Sequence, residues 1–208
     1  MDDGLHDAYC DPARNALLAQ LRDALQSEVG DALRPLAHVD RIYFRVKSTG
    51  SFLKKASDPD TSPPYRNPLV EIEDQVAGRV LFFFLEDIES AKPLLIRTFT
   101  TVERAHKKPS RDEEFGYESH HMICNVPPTL KPDGWDGRSD LPPTFELQLR
   151  TLFMHAYAEP QHDIAYKETK DLPSSVRREL AWIAASSWGA DQAYSRVWGW
   201  YLSLLRKR

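Results

Sequence analysis

The sequence has little of the cysteine that disulfide scaffolds and zinc sites require, since Cys10 and Cys124 are its only two. They lie far apart, so we interpret both as reduced thiols of a cytoplasmic protein. The first residues lack the apolar stretch of a signal peptide, and no apolar run approaches the roughly 20 residues of a membrane helix, so we expect no membrane partner. The formal net charge is −4, and overall charge therefore gives no argument for nucleic-acid binding.

The composition is instead that of a globular protein. The 208 residues are 41% hydrophobic and 28% charged, which is enough for one domain with a substantial core. Helical spacing of apolar residues predicts helices over about 12–36 and 172–205, and candidate first residues, Ser48 and Asp87 or Ser90, predict helices over about 50–56 and 87–97. Apolar or alternating segments predict strands at about 41–47, 79–85, 99–104, 119–126 and 143–151. This pattern is typical of an α/β (α+β) fold with a mixed five-stranded sheet, flanking helices, and helical N- and C-terminal segments.

The segment 143–167 places many ionisable residues beside an apolar pattern. Its first part is a predicted strand whose polar face carries Glu146, Gln148 and Arg150. Further on, His155, Glu159 and His162 are spaced four and three apart, so they share one side of a predicted helix. A polar strand that leads into a helix with a polar stripe predicts the floor and wall of a charged pocket.

A basic cluster follows the first predicted strand. Arg45 and Lys47 are two residues apart and share one strand face, and Lys55 lies about one helical turn beyond Ser51. Guanidinium and ammonium groups that converge around a turn donate charge-assisted hydrogen bonds to phosphoryl oxygens, so the cluster predicts a polyphosphate site. A solvated basic face explains the same residues when they are taken alone.

Two carboxylates are candidate magnesium ligands. Asp74 precedes a predicted buried strand that carries Arg79. Glu146, on the predicted strand at 143–151, is the second candidate carboxylate. Magnesium needs only one or two carboxylates when substrate phosphates supply other oxygens. An ion pair between Asp74 and Arg79 at a strand edge is the alternative.

A glycine turn leads into the fourth predicted strand. Gly116 permits close approach of a ligand, and the ring of Tyr117 beside it is suited to stacking on a nucleobase. Ser119 and His121 share one face of the following strand. An ordinary glycine turn is the alternative for this motif taken alone.

The order of these motifs resembles the synthetase domain of the RelA/SpoT family, the (p)ppGpp or alarmone synthetases, over roughly residues 39–198. The motifs are Arg-x-Lys-Ser-x-x-Ser-x-x-x-Lys at 45–55, Asp-x-x-x-x-Arg at 74–79, Gly-Tyr-x-Ser-x-His at 116–121, Glu-x-Gln-x-Arg-Thr at 146–151 and His-Ala-x-Ala-Glu-x-x-His-x-x-x-Tyr-Lys at 155–167. Five motifs in the family's order carry the resemblance, and the length is similar to that of the small, single-domain members.

The resemblance implies a nucleotidyltransferase-like fold and transfer of the β,γ-pyrophosphoryl group of ATP to the 3′-hydroxyl of GDP or GTP. It implies that ATP and its phosphates are held by Arg45, Lys47, Ser51, Lys55 and Arg79. It implies that the acceptor is lined by Tyr117, Ser119, His121, Gln148, Arg150, His155 and Glu159. Asp74 and Glu146 would be the catalytic residues and the Mg²⁺ ligands, with Glu146 helping with the metal or polarising the attacking hydroxyl.

The resemblance also leaves alternatives. Other members of the family modify the 3′ end of tRNA or use adenine nucleotides, and a non-catalytic nucleotide-binding relic is a third hypothesis. Residues 1–38 are predicted as an N-terminal helical segment, 39–170 as the synthetase domain, and 171–208 as a helix that packs on that domain or on a partner subunit. Small members of the family often form tetramers, so the resemblance implies a homo-oligomer.

Overall fold

The computed structural model describes residues 3–107, 114–115, 119–165 and 172–205. Its helices are α1 (Asp3–Tyr9), α2 (Pro12–Leu33), α3 (Thr49–Ala56), α4 (Pro68–Glu71), α5 (Leu85–Thr98), α6 (Leu152–Ala165) and α7 (Ser174–Leu205). Its strands are β1 (Val39–Val46), β2 (Val76–Phe82), β3 (Thr101–Lys107), β4 (Ser119–Asn125) and β5 (Thr144–Thr151). Two 3₁₀ turns, Pro128–Leu130 and Trp135–Gly137, lie between β4 and β5.

The five strands form one sheet in the order β1-β2-β5-β4-β3. The central strands β2 and β5 are parallel, and the other three pairs are antiparallel. The predicted mixed five-stranded sheet with flanking helices is therefore confirmed. Because β2 and β5 are separated in sequence by α5, β3 and β4, the parallel pair brings the two predicted carboxylate segments side by side.

One face of the sheet packs against α2 and α5 in the main core. Helix α2 starts at a proline preceded by Asp11, whose side chain accepts a hydrogen bond from the Ala13 amide and so caps the helix. Its buried apolar stripe consists of Leu18, Leu21, Leu25, Val29 and Leu33. These residues share one hydrophobic cluster with the apolar side chains of β5. The predicted division of the chain at residues 38 and 170 stays a prediction.

Two strand positions were predicted wrongly. β2 begins three residues earlier than the predicted 79–85, because Gly78 makes a weak strand signal yet is required there. A Cβ atom on Gly78 would lie 2.2 Å from the ring of Phe44 on the neighbouring strand. β3 begins at Thr101 instead of residue 99, because the apolar Phe99 is the buried C-cap of α5. Helix α1 lies within the predicted N-terminal helical segment, 1–38, but it was not predicted as a separate helix.

Helix α7 runs for 32 residues and packs against α6 and α5. Much of the predicted apolar stripe is nevertheless exposed in the single chain. The exposed large apolar residues of α7 are Val176, Trp182, Ile183, Trp188, Tyr194, Val197, Trp200, Tyr201, Leu204 and Leu205. None of the helices in the described ranges is both long and apolar enough to cross a membrane.

Candidate active site

The strand register gathers the predicted polar residues on the face of the sheet opposite the main core. Arg45 of β1 lies opposite Ala77 of β2, and Ala77 lies opposite Glu146 of β5. One step along, Gln148 of β5 lies opposite His121 of β4. Directly paired residues point to the same face, so the parallel β2–β5 contact is what unites segments that are distant in sequence.

Asp74 lies in the turn before β2 and is held by two lysines. Its Oδ2 accepts a hydrogen bond from Lys47 Nζ at 2.6 Å, and its Oδ1 accepts one from Lys55 Nζ at 2.9 Å. Burial by itself raises the pKa of Asp74, but the two ammonium groups outweigh it and hold that pKa below its usual value. Asp74 is therefore a carboxylate at neutral pH, and the alternative of an ion pair with Arg79 is not what the structure shows.

Glu146 is the second carboxylate, and it is buried. His121 Nδ1 lies 2.5 Å from its Oε1, and Gln148 Nε2 donates to its Oε2 at 2.8 Å. Burial favours the neutral acid, but the contacts with His121 and the hydrogen bond from Gln148 bring the pKa of Glu146 below its usual value. The charge of Asp74 opposes that lowering, which places the two carboxylates within electrostatic reach of one another.

The two carboxylates line one open cavity together with a lysine and a histidine. Its lining residues are Lys55, Glu73, Asp74, Glu103, Ala105, His121, Ile123 and Glu146. Burial and the nearby charge of Glu103 raise the pKa of Glu73. The cavity thus joins acids from the turn before β2, from β5 and from the edge strand β3 with the Lys55 ammonium group.

Arg79 projects from β2 into a second polar cluster beside the cavity. Its Nη1 donates to the Tyr43 hydroxyl at 2.6 Å and also pairs with Glu159 of α6. Its Nε donates to Gln148 Oε1 at 3.3 Å. Gln148 therefore connects the two clusters, because its amide nitrogen donates to Glu146 while its amide oxygen accepts from the guanidinium group.

Arg150 completes this second cluster from β5. Its Nη2 donates to Gln148 Oε1 at 2.8 Å, and its Nε donates to the buried Ser119 hydroxyl at 3.2 Å. Its Nη1 lies 3.4 Å from Glu159 Oε1, and His155 lies 3.7 Å from the same oxygen. Burial lowers the pKa of His155, and although Glu159 opposes the shift, the net direction is downward. Two guanidinium groups therefore converge on one half-exposed carboxylate.

The remaining predicted residues are placed less centrally. Ser51 lies in the first turn of α3, where Ser48 caps the helix and donates to the Ser51 hydroxyl at 3.0 Å. Arg45 is exposed on β1. Tyr117 lies outside the described residues, so its stacking role stays a prediction. No ligand contact tests any of these roles, and the assignment of each residue to donor or acceptor also stays a prediction.

The chain matches the family model for the region found in RelA/SpoT proteins over residues 44–171, more than half of its length. The chain belongs to the RelA/SpoT family. The matched span contains all five motifs and, apart from Tyr43, the side chains of the two polar clusters. Family membership was expected from the order of the motifs, and it is confirmed.

Known RelA/SpoT proteins resemble the chain over nearly its whole length. GTP pyrophosphokinase YjbM of Bacillus subtilis is 28% identical, with 96% of this chain and 91% of that protein covered. The crystal structure of small alarmone synthetase 1 from Bacillus subtilis has a TM-score of 0.75 at 21% identity, covering 90% of this chain and 95% of that one. The same protein bound to its product pppGpp gives a TM-score of 0.72 at 24% identity, with coverage of 92% and 100%.

Some site residues of this family member were missed by sequence reasoning. Glu73 and Glu103 line the cavity, and Tyr43 holds the Arg79 guanidinium, with the guanidinium carbon 5.5 Å from the ring centroid. Glu73 stands next to Asp74, which was a usable signal. Glu103 and Tyr43 reach the site only through the pairing of the strands, and the sequence alone does not show which strands are neighbours.

Proposed function

We propose that this protein is an ATP-dependent pyrophosphokinase that transfers the β,γ-pyrophosphoryl group of ATP to the 3′-hydroxyl of GDP or GTP, forming (p)ppGpp. In this reaction the 3′-oxygen forms a bond to the β-phosphorus, the bond from that phosphorus to the α,β-bridging oxygen breaks, and AMP leaves. The observation that carries the proposal is the meeting of Asp74 and Glu146 at one cavity in a RelA/SpoT chain. The name of YjbM, a GTP pyrophosphokinase, and the pppGpp bound to small alarmone synthetase 1 support it.

The two carboxylates fit a magnesium ion. Both have a pKa below the usual value, so both offer anionic oxygens at neutral pH, and both line the same cavity. Magnesium is satisfied by one or two carboxylates when phosphates and water supply the other oxygens. Asp74 and Glu146 would hold the ion, which would supply charge neutralisation for the transferring phosphoryl oxygens.

The lysines of the cavity have a role that follows from their position. Lys47 and Lys55 hold Asp74 now, and the Lys55 side chain is more than a third exposed. Phosphoryl transfer depends chiefly on positioning and on cations placed where negative charge accumulates. We assign Lys55 to the phosphates of ATP and Lys47 to the orientation of Asp74. Glu146, held by His121 and Gln148, would accept a hydrogen bond from the acceptor hydroxyl.

The second cluster is suited to binding the phosphates of a substrate. Arg79 and Arg150 share Glu159, which is about half exposed with a side-chain accessibility of 49%. A phosphate offers more oxygens to two guanidinium groups than one carboxylate does. We propose that substrate phosphates replace Glu159 between Arg79, which the family resemblance assigns to ATP, and Arg150, which it assigns to the acceptor.

Label transfer tests the proposed function. Purified protein with γ-labelled ATP and magnesium is incubated separately with GDP, GTP, an adenine nucleotide and bulk tRNA, and the products are separated by chromatography. We expect label on the guanine nucleotides and AMP as the second product, with both lost in Asp74→Asn. Label on tRNA or on an adenine nucleotide would identify that molecule as the acceptor instead of a guanine nucleotide. Absence of AMP with every acceptor would refute the proposed pyrophosphoryl transfer.

We also propose that α7 contributes to a homo-oligomer of tetramer size. Ten large apolar side chains on this helix are exposed in the single chain, including Trp182 at 67% and Trp200 at 62%. Monomers rarely expose apolar surface on this scale. Light scattering on the purified protein would give the mass of a tetramer, and a monomer mass would refute this part of the proposal.

A further inference from the structure

Arg14 of α2 is fully buried, although it lies outside the span matched by the family model. Its Nε donates to the backbone oxygen of Asp140 at 2.9 Å, and its Nη2 donates to the side-chain oxygen of Gln75. Its guanidinium carbon lies 4.8 Å from the centroid of the Tyr9 ring. The nearest carboxylate oxygen, on Asp140, is 3.9 Å away. A buried cation is therefore held mainly by neutral groups.

Gln75 connects that cation to the turn that carries Asp74. Its side-chain nitrogen donates to the carbonyl oxygens of Leu69 at 2.8 Å and Ile72 at 2.9 Å. The backbone carbonyl oxygen of Gln75 accepts a hydrogen bond from the Lys47 amide at 2.8 Å. Gln75 thus closes the turn before β2 through its fully buried side chain, and its backbone joins that turn to the end of β1.

Tyr9 reaches the same point from α1. Its hydroxyl donates to the carbonyl oxygen of Lys47 at 2.7 Å, and its ring stacks on Phe52 of α3 at 3.8 Å. The amide and the carbonyl of Lys47 are therefore fixed by residues from two other segments. The Lys47 side chain in turn donates to Asp74 at 2.6 Å.

Burying the charged Arg14 side chain costs free energy, which indicates that this residue does not serve chiefly to stabilise the fold. Burial lowers the pKa of the Arg14 guanidinium, and its Nη1 has no hydrogen-bond partner among the described residues. Replacing buried ionic groups by apolar residues of similar size is often neutral or stabilising. The planar guanidinium group instead orients its neighbours, because it fixes Gln75 and the Asp140 carbonyl relative to the Tyr9 ring.

We propose that Arg14, Gln75 and Tyr9 are positioning residues that set the distance between Lys47 and Asp74. None of them lines the cavity, and they act on the reaction through those two residues. The inference rests on the proposed function for its kinetic part only. It assigns a catalytic purpose to the N-terminal helices, which sequence reasoning treated as a separate helical segment.

The main test compares Arg14→Met with Arg138→Met. Arg138 is a matched control because it also ties the start of α2 to the same loop, through Asp11 at 2.5 Å and Asp140 at 2.6 Å, without contacting Gln75. Displacement of a catalytic group by about 1 Å costs on the order of 100-fold, so we expect kcat of Arg14→Met to fall about 10- to 100-fold. The KM for the acceptor should be unchanged in Arg14→Met, and the kcat of Arg138→Met should equal that of the wild type. The double variant Arg14→Met/Gln75→Met should lose no more kcat than the worse of its two single variants.

Two further measurements keep the test decisive if Arg14→Met does not fold. Tyr9→Phe removes only the hydroxyl, and we expect kcat to fall about fivefold, the equivalent of one hydrogen bond. Hydrogen exchange of peptides covering residues 45–48 and 72–76 should rise in Arg14→Met or Tyr9→Phe and not in Arg138→Met. Unchanged exchange there, or kcat that falls equally in the Arg14 and Arg138 variants, would overturn the inference. An inactive wild type would refute the proposed function, whereas the exchange comparison would still decide whether these residues hold Lys47.

Discussion

The two faces of β5 are both buried, yet they are built in different ways. On one face Phe145, Leu147 and Leu149 are fully buried against helices. On the other, Glu146 and Arg150 are nearly as inaccessible, at 8% and 4%, but they are held by specific polar contacts with His121 and Ser119. The apolar face is stabilised by surface removed from water, which is non-directional. The polar face is stabilised by paired charges, and a charged substrate is able to take over such pairs.

Alternate residues of β5 therefore contribute to different properties. The apolar residues contribute to stability, and the polar residues contribute to the chemistry. Changing an apolar neighbour should alter the free energy of unfolding and leave turnover per folded molecule intact. Changing a polar neighbour should do the reverse. Adjacent positions of one strand therefore provide a direct test of the comparison.

The largest effect is expected for Phe145→Ala. The Phe145 ring is fully buried between Phe44 and Phe99, at centroid distances of 6.3 and 5.2 Å. Removal of a buried phenyl ring costs about 3–5 kcal/mol, because transfer energy is lost and a cavity is left. Denaturant unfolding of Phe145→Ala, with Phe145→Leu as the milder control, measures this. A loss of kcat in the protein that remains folded would contradict the separation of the two faces.

Glu146→Gln should leave the fold intact and remove activity. The amide keeps the shape of the side chain, but it loses the charge that His121 and Gln148 hold in place. Loss of one such preorganised electrostatic group costs about 10²–10³ in kcat. The variant should unfold at a much higher denaturant concentration than Phe145→Ala. Measured turnover equal to wild type would remove Glu146 from the catalytic group.

Gly78→Ala is expected to be destabilising by about 1–3 kcal/mol through overpacking. Gly78 lies opposite Phe44 on β1 and opposite Leu147 on β5, on the apolar face. The added methyl group would meet the Phe44 ring at 2.2 Å. Phe44→Leu should relieve the clash, so the double variant should recover part of the loss. Equal stability of Gly78→Ala and wild type would show that the ring moves freely.

Much of the fold was predictable because period-two alternation and helical spacing are local properties of the chain. The alternation of β5 and the leucine stripe of α2 are both found as predicted. β2 was shifted because the strand signal of Val80 and Leu81 continues into Phe83 and Phe84, which lie beyond the strand. The apolar stripe of α7 was also predicted, but sequence does not state whether such a stripe faces its own chain or another.

The residues of the candidate site were predictable where they belong to a sequence motif. They were not predictable where only strand register or burial brings them to the site. Asp74 and Glu146 were both identified, yet their actual partners, Lys47 and His121, follow from the strand order. Arg14 lies four residues before Leu18 and so continues the buried stripe of α2, but this spacing does not indicate which groups the guanidinium contacts. Such groups are fixed by contacts between segments that are distant in sequence.

The smallest effect concerns the two adjacent histidines of β4, which lie on opposite faces. His121 faces Glu146, whereas His120 lies opposite Leu149 and stacks on His106 at 4.0 Å. Burial, the nearby His106 and Lys92 lower the pKa of His120 from 6.5 to about 4, although Glu89 opposes the shift.

The sign of the pH effect follows from this shift. Between pH 6.5 and 4 the unfolded chain binds a proton at His120 that the folded chain does not, so stability is complete above pH 6.5 and falls as the pH drops toward 4. We expect the wild-type Tm to fall by about 2–4 °C more than that of His120→Gln between pH 7 and pH 5. Parallel Tm curves for the two proteins would show that His120 is not held neutral.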